Sequence, residues 1–429
     1  MKPLQKLLPL LIAGALAIAA FVIWKLGSPA SEFGQSGATD DLPDPMPYLS
    51  DLAAPPDWSR IDPWQQSITR SEFIQLIDEV FTVSDRWRDW FLVGDTSVEI
   101  MTGTDDENYV LEFAVTETDA APGPRYWRPA SALPPAPSGK PLADLHIAID
   151  PGHIGGRWAK IEERWFKVGD GKPVKEGGMT LFVANLLKPE LEKLGAKVSL
   201  VRSETEPVTT YRPENLMEAA RAKSPDSPQR LAERLFYRTA EIRARAEKVN
   251  RELKPDLVLC LHFNAESWGN PDEPTLIPRS HFHLLLNGAY TDGEVELADQ
   301  RFAITRKIVE GIHPEEAALA ENIANSFVEI TALPPYLYEP NSKRAVNIAG
   351  NPYLWARNLL ANRLYDCPVV FLEPYVMNST EDHERIQAGD YEGLKEVAGK
   401  PRPSIFREYR DAVVKGLVSY YQNARPQSE

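Results

Sequence analysis

From Leu145 onward, short uninterrupted apolar runs alternate with stretches of helical period. The runs are "LHIAID" (145–150), "KVSLVR" (197–202), "LVLCLH" (257–262), "HFHLLL" (281–286) and "PVVFLE" (368–373). Strands that are apolar on both faces belong to a sheet covered on both sides, as parallel sheets are. Between the first two, "MTLFVANLLKPELEKLG" sets Leu181, Ala184, Leu187, Leu191 and Leu194 on one stripe and stops at Gly195. Pro189 inside that stretch predicts a kink or a break. A further helix is predicted over about Leu231–Leu253. The pattern predicts an α/β fold, a mostly parallel sheet with helices on both faces.

Upstream the pattern changes twice. Lys2 and Lys6 precede "LLPLLIAGALAIAAFVIW", a charge-free run closed by Lys25. At about 18 residues it is long enough to span a bilayer, and "SPA" at 28–30 also resembles a cleavage site. An uncleaved anchor is favoured over a signal peptide, and both export the rest of the chain. A tether rich in Pro, Ser, Gly and Asp follows. Then "ITRSEFIQLIDEVF" puts Phe73, Ile74, Ile77, Val80 and Phe81 on one helical face behind a cap at Thr69 or Ser71, and "SVEIMTG" and "NYVLEFAV" read as strands. The expected organisation is an anchor or signal (1–26), a linker (27–57), a small α+β accessory unit (58–133), a second linker (134–144), and an α/β unit (145–424) with helical insertions at about 266–350.

In open α/β sheets, sites form beyond the carboxyl ends of the strands. Asp150 and His153 stand there after the first strand, Arg202 after the second, His262 at the third and Glu373 at the last. Two imidazoles and a carboxylate suit a zinc ion with one position left open, and a second carboxylate supplies a general base. Glu176, at a predicted helix start, competes with Glu162 and Glu163 for the metal-binding carboxylate. His281 and His283, at i and i+2 on a strand, form a rival pair. A net charge of −15 argues against a nucleic-acid partner. Two cysteines, Cys260 and Cys367, both in apolar runs, leave metal binding to His and carboxylates.

Taken in order, "IAIDPGH", Glu176 at a helix start, "ELEKLGAKVSLVR", "ARAEKVNRELKPDLVLCLHFNAE" and "CPVVFLEPYVMNS" resemble the zinc-dependent N-acetylmuramoyl-L-alanine amidases, over about Leu145 to Tyr420. The resemblance implies Zn2+ on His153, Glu176 and His262, with Glu373 as catalytic carboxylate. It also implies hydrolysis of the amide joining glycan to peptide in peptidoglycan. The chain departs from the family in three places. Ile154 precedes the glycines after His153, Gly177 follows Glu176 where Lys is usual, and "PYV" replaces Thr-Gly-Phe after Glu373. These departures leave the ligands in place and bear on the substrate pocket.

Three further candidates are Asp150, expected to orient an imidazole, Asn264, expected to touch substrate, and Arg357, expected to contact the peptide. The helical segments at 294–330 are expected to roof the cleft. Two other readings stay open: a zinc peptidase acting on a different cell-wall amide, and a peptidoglycan-binding or regulatory protein without catalysis. Expected partners are peptidoglycan and, through the N-terminal segment, the membrane or export machinery, together with a protein activator of unknown identity. The expected place is the periplasmic side of the cell envelope.

Overall fold

A computed structural model describes residues 48–103, 108–339 and 342–426. The N-terminal apolar run lies outside them. Among the described residues no helix is long and apolar enough to cross a membrane.

Three short strands, β1 (Phe91–Val93), β2 (Ser97–Met101) and β3 (Asn108–Glu112), form an antiparallel sheet beside helix α1 (Arg70–Leu76). Thr69 caps α1 in a reciprocal box with Glu72, which satisfies two backbone donors at its start. The large sheet contains β4 (His146–Pro151), β7 (Lys197–Leu200), β8 (Leu257–Leu261), β9 (Phe282–Leu286), β10 (Val346–Asn347), β11 (Leu354–Ala356) and β12 (Val369–Pro374). Their order is β10-β11-β9-β12-β8-β4-β7. The two-stranded hairpin of β5 (Trp165–Phe166) and β6 (Val174–Lys175) sits in the loop after β4.

The pairs β4–β7, β4–β8, β8–β12 and β9–β11 are parallel, whereas β9 runs antiparallel to β12 and β10 to β11. The sheet is thus mostly parallel, with the reversal at β9 as the departure from uniform alternation. Because β9 is reversed, its first residues, not its last, lie at the edge where β4, β8 and β12 end.

Alternate residues feed two cores. Ile147, Ile149, Leu259, Leu261, Leu284 and Leu372 face α2 (Glu176–Lys193), α3 (Ile312–Thr331) and α4 (Ile405–Ala424). Ala148, Val258, Cys260, Leu285, Val369 and Phe371 face Ala246 and Val249 of the helical run from Pro228 to Leu253, and Tyr365. Pro189 does not break α2, which runs unbroken for 18 residues. The carbonyl left without an intrahelical donor belongs to Asn185, and both residues are exposed, so water can serve it.

The expected roof is not a roof. Leu319, Ile323 and Phe327 of α3 are buried beneath the sheet with Leu284 and Leu372, because the apolar stripe of that helix needs a sheet face to cover. What reaches the cleft edge is the extended stretch after α3, where Phe282 N–H donates to Pro334 O and Tyr336 N–H to Phe282 O.

Neither stretch read as linker is free along its whole described length. Leu49, Ser50, Asp51, Leu52 and Ala53 are all buried. Leu49 and Ala53 pack on Ala298, Asp51 pairs with Lys223, and Leu52 joins a cluster containing Ile154 and Trp158. In the second stretch, Arg425 donates to the carbonyls of Pro134, Pro141 and Ala143. The small unit hooks onto the far end of β9, where Ala289 and Tyr290 N–H donate to Val80 and Phe81 O.

Candidate metal centre and catalytic carboxylate

The turn after β4 brings His153 over the sheet edge in a left-handed backbone conformation (φ 58°). That region is unfavourable for a side-chain-bearing residue and persists where the surroundings over-determine it. They do so here. Arg245, buried, donates to the carbonyls of Pro151 and His153 at 2.8 Å each. Glu162, 1% exposed, accepts the N–H of Ile154 at 2.7 Å and of Gly155 at 2.8 Å.

The glycines allow the close approach. A Cβ on Gly177 would stand 2.4 Å from Gly155 N, so the turn lies directly against the start of α2. Two of the three departures from the pattern of the resembled family have a physical setting here. Gly177 makes room for the turn, and Ile154, fully buried, plugs a side core with Trp158, Leu216 and Phe236.

His153, Glu176 and His262 converge. His153 Nε2 lies 3.2 Å from Glu176 Oε2, and His262 Nδ1 lies 3.0 Å from Glu176 Oε1. Ligand atoms of all three fall within 4.8 Å of one another, and this is the one such group of three among the described residues. Tetrahedral donors at about 2.0–2.2 Å from zinc are roughly 3.3–3.6 Å apart, so the set fits a zinc-sized ion with little rearrangement.

The electrostatics agree. Burial drives the His153 pKa well below its usual value, leaving a neutral imidazole with a lone pair to give. Burial opposes ionisation of Glu176, but the His262 hydrogen bond and the Arg164 guanidinium hold its carboxyl below the usual carboxylate range. The His262 ring is clamped between this carboxylate and Phe371, on which it stacks at 4.1 Å.

Gly152 is a tight point. A Cβ there would come within 2.3 Å of the His262 ring. Gly152→Ala is expected to displace that imidazole and reduce bound metal well below one ion per chain, measured by elemental analysis against an unchanged circular dichroism spectrum.

Glu373 closes the arrangement. Register sets it across from His283 and one residue past the Leu372–Leu261 pair, level with His262 on the same face. Burial, with the Glu176 charge adding to it, pushes its carboxyl up to about 7 against the pull of His262, Arg164 and Arg357.

Asp150, expected to orient an imidazole, instead receives Arg245 at 2.8 Å and the Tyr365 hydroxyl. It supports the His153 turn through Arg245, and the carboxylate beside the ring is Glu162, 3.6 Å from Nδ1. Asn264 holds its amide nitrogen 3.4 Å from His283 Nδ1 and accepts the Ala265 N–H. Arg357 follows β11 and lies against the Tyr338 hydroxyl. The rival pair gathers no third ligand among the described residues: His281 faces Glu266 at 3.3 Å, and His283 sits among Asn264, Tyr336 and Tyr338.

Arg164, whose Nε is 3.2 Å from Glu176, and the orienting role of Glu162 were not anticipated. Both come from the long loop after β4, which carries no periodic signal. Loss of Glu162 should orphan two buried N–H groups, each costing about 1–3 kcal/mol. Glu162→Ala is therefore expected to lower the urea midpoint and to weaken zinc binding by about 10- to 100-fold, as removal of a ligand's support does.

Tyr375 occupies the position where the family shows Gly. It also adopts a left-handed conformation (φ 61°), held by its hydroxyl on Glu408 at 3.0 Å and by Arg385 over its ring.

No protein-family model matches the chain, and no curated protein matches it. Among solved structures it is similar to the apo form of the N-acetylmuramyl-L-alanine amidase Ami1 from Mycobacterium abscessus, at 17% identity and TM-score 0.37, covering 65% of this chain and 99% of that one. It is also similar to the CwlD amidase from Clostridioides difficile in complex with the GerS lipoprotein, at 14% identity and TM-score 0.36, covering 65% and 99%. A third is the catalytic domain of CwlV, an N-acetylmuramoyl-L-alanine amidase from Bacillus (Paenibacillus) polymyxa var. colistinus, at 13% identity and TM-score 0.34, covering 64% and 95%.

Proposed function

We propose that this chain is a zinc-dependent N-acetylmuramoyl-L-alanine amidase. It hydrolyses the amide between the lactyl group of the glycan and the L-alanine of the peptide, in remodelling of the cell wall. The observation that carries this reading is a half-buried carboxylate, Glu373, level with an imidazole of a three-ligand set on one sheet edge. His153, Glu176 and His262 would hold the ion. When bound, zinc supplies Lewis acidity toward a carbonyl and a water.

The chain's own residues do the rest. Glu373, poised near neutrality, takes the proton of the attacking water and passes a proton to the departing alanine nitrogen. Arg245 and Glu162 hold the His153 turn, so the imidazole need not reorganise. The Glu176 carboxylate stays ionised and keeps a negative charge among the ligands.

The place we propose for it is the periplasmic side of the envelope, held by the N-terminal segment, with peptidoglycan as substrate and a protein activator as a further partner. The testing experiment is digestion of purified muropeptides by the full chain, read by mass spectrometry. Products separated at the lactyl–alanine bond support the reading. Cleavage elsewhere would identify a peptidase, and sacculus binding without products would identify a binder.

A further inference from the structure

Beyond Glu373, on the side away from the metal ligands, the sheet continues through β9 and β11. Several side chains there lie outside the metal set and keep part of their surface exposed. His283 lies across from Glu373. Tyr336 sits against both His281 and His283, with ring centroids 4.8 and 4.9 Å apart. Tyr338 packs on Trp355 at 4.9 Å and edge-on to His283 at 5.8 Å. Tyr336, Tyr338, Trp355 and Arg357 are each partly exposed, so the strip has an open side.

Charge is distributed unevenly along it. Glu266 already receives Arg279 and His281, so that carboxylate is spent. Arg357 is different. Its guanidinium lies against the Tyr338 hydroxyl and is felt by His283 and Glu373, yet it pairs with no carboxylate among the described residues. A half-buried arginine without a counter-ion, set among aromatic rings, is matched to an incoming carboxylate. His283, buried and pushed down to about 3 by burial and by the His281 and Arg357 charges, stays neutral and offers no competing charge.

The order across the sheet fixes which part of the substrate arrives there. In the reaction proposed above, the ligand side holds the scissile carbonyl and Glu373 serves the departing nitrogen. The groups past Glu373 therefore line the amine side of the bond, where the peptide begins. We propose that Arg357, Tyr338 and Trp355 form a subsite for the free α-carboxylate of the γ-linked D-glutamate of the stem peptide. This rests on the amidase reading. It adds a selection that reading does not contain: acidic stem peptides are taken in preference to amidated ones.

The test uses the full chain and two free peptides, L-Ala-γ-D-Glu-L-Lys and its carboxamide counterpart L-Ala-D-isoGln-L-Lys, titrated calorimetrically. The acidic peptide is expected to bind wild type at least about tenfold more tightly, the scale of a charge-assisted hydrogen bond. Arg357→Gln is expected to erase that difference with zinc content unchanged, and Arg357→Lys to restore part of it. Equal binding of the two peptides by wild type, or undiminished discrimination by Arg357→Gln, would overturn the proposal. Muropeptide cleavage is scored separately. A wild type that cleaves nothing while showing Arg357-dependent selection would sink the amidase reading and leave the subsite standing.

Discussion

Glu373→Gln is expected to lower amide hydrolysis by roughly 100- to 10,000-fold, the usual contribution of a positioned proton-transfer group, while one zinc per chain remains bound. Glutamine keeps the shape and a hydrogen-bonding oxygen but transfers no proton. The same variant carries a stability signature. Burial raises the Glu373 pKa to about 7 from an ordinary carboxyl value of 4.5. In the metal-free protein the folded state therefore binds more protons than the unfolded chain across that interval. Wild-type stability then falls as pH rises from about 4.5 to about 7 and levels off above it. Glutamine removes this dependence, so the variant gains on wild type through that window. Denaturant unfolding at several pH values, beside a muropeptide assay, tests both halves. A variant that retains activity would remove Glu373 from the chemistry.

His262→Ala should abolish metal binding more completely than any substitution behind the ligands. It deletes one of three donors and leaves a gap between Glu176 and Phe371, where the ring now stacks at 4.1 Å. The expected loss of zinc affinity exceeds the roughly 10- to 100-fold cost of removing a ligand's partner. His281→Ala, which touches the rival pair, is expected to leave the zinc bound. Metal content after exhaustive dialysis reads both. Zinc retained by His262→Ala and lost from His281→Ala would move the site to the rival pair.

Much of this centre was legible because its residues sit where local pattern and strand ends coincide. Runs such as "LVLCLH" and "PVVFLE" announce a buried strand and end on the residue that matters. Glu176 was legible as a helix start, though only the family resemblance separated it from Glu162 and Glu163. Other features depend on pairings that no local pattern encodes. "HFHLLL" reads the same whether its strand runs with or against its neighbours, so the reversal of β9 that brings His283 beside Glu373 was invisible. Glu162 and Arg164 act through a loop whose course is set by contacts such as Phe166 on Trp268 at 5.0 Å. The helices at 298–331 announced their amphipathic faces but not which surface those faces would cover. Proline and serine content marked the upstream stretches as linkers, yet Leu49, Leu52 and Leu142 are buried.

Leu52 has a consequence of its own. It shares a buried cluster with Ile154 and Trp158, and Ile154 is the residue immediately after His153, a proposed metal ligand. The last stretch of what reads as a leash is thus a wedge driven in behind the turn that carries the imidazole. A protein trimmed or nicked between Tyr48 and Ala53 loses that wedge, and the slack arrives first at the turn that carries His153. Among the described residues, the packed body already includes Leu49 to Ala53.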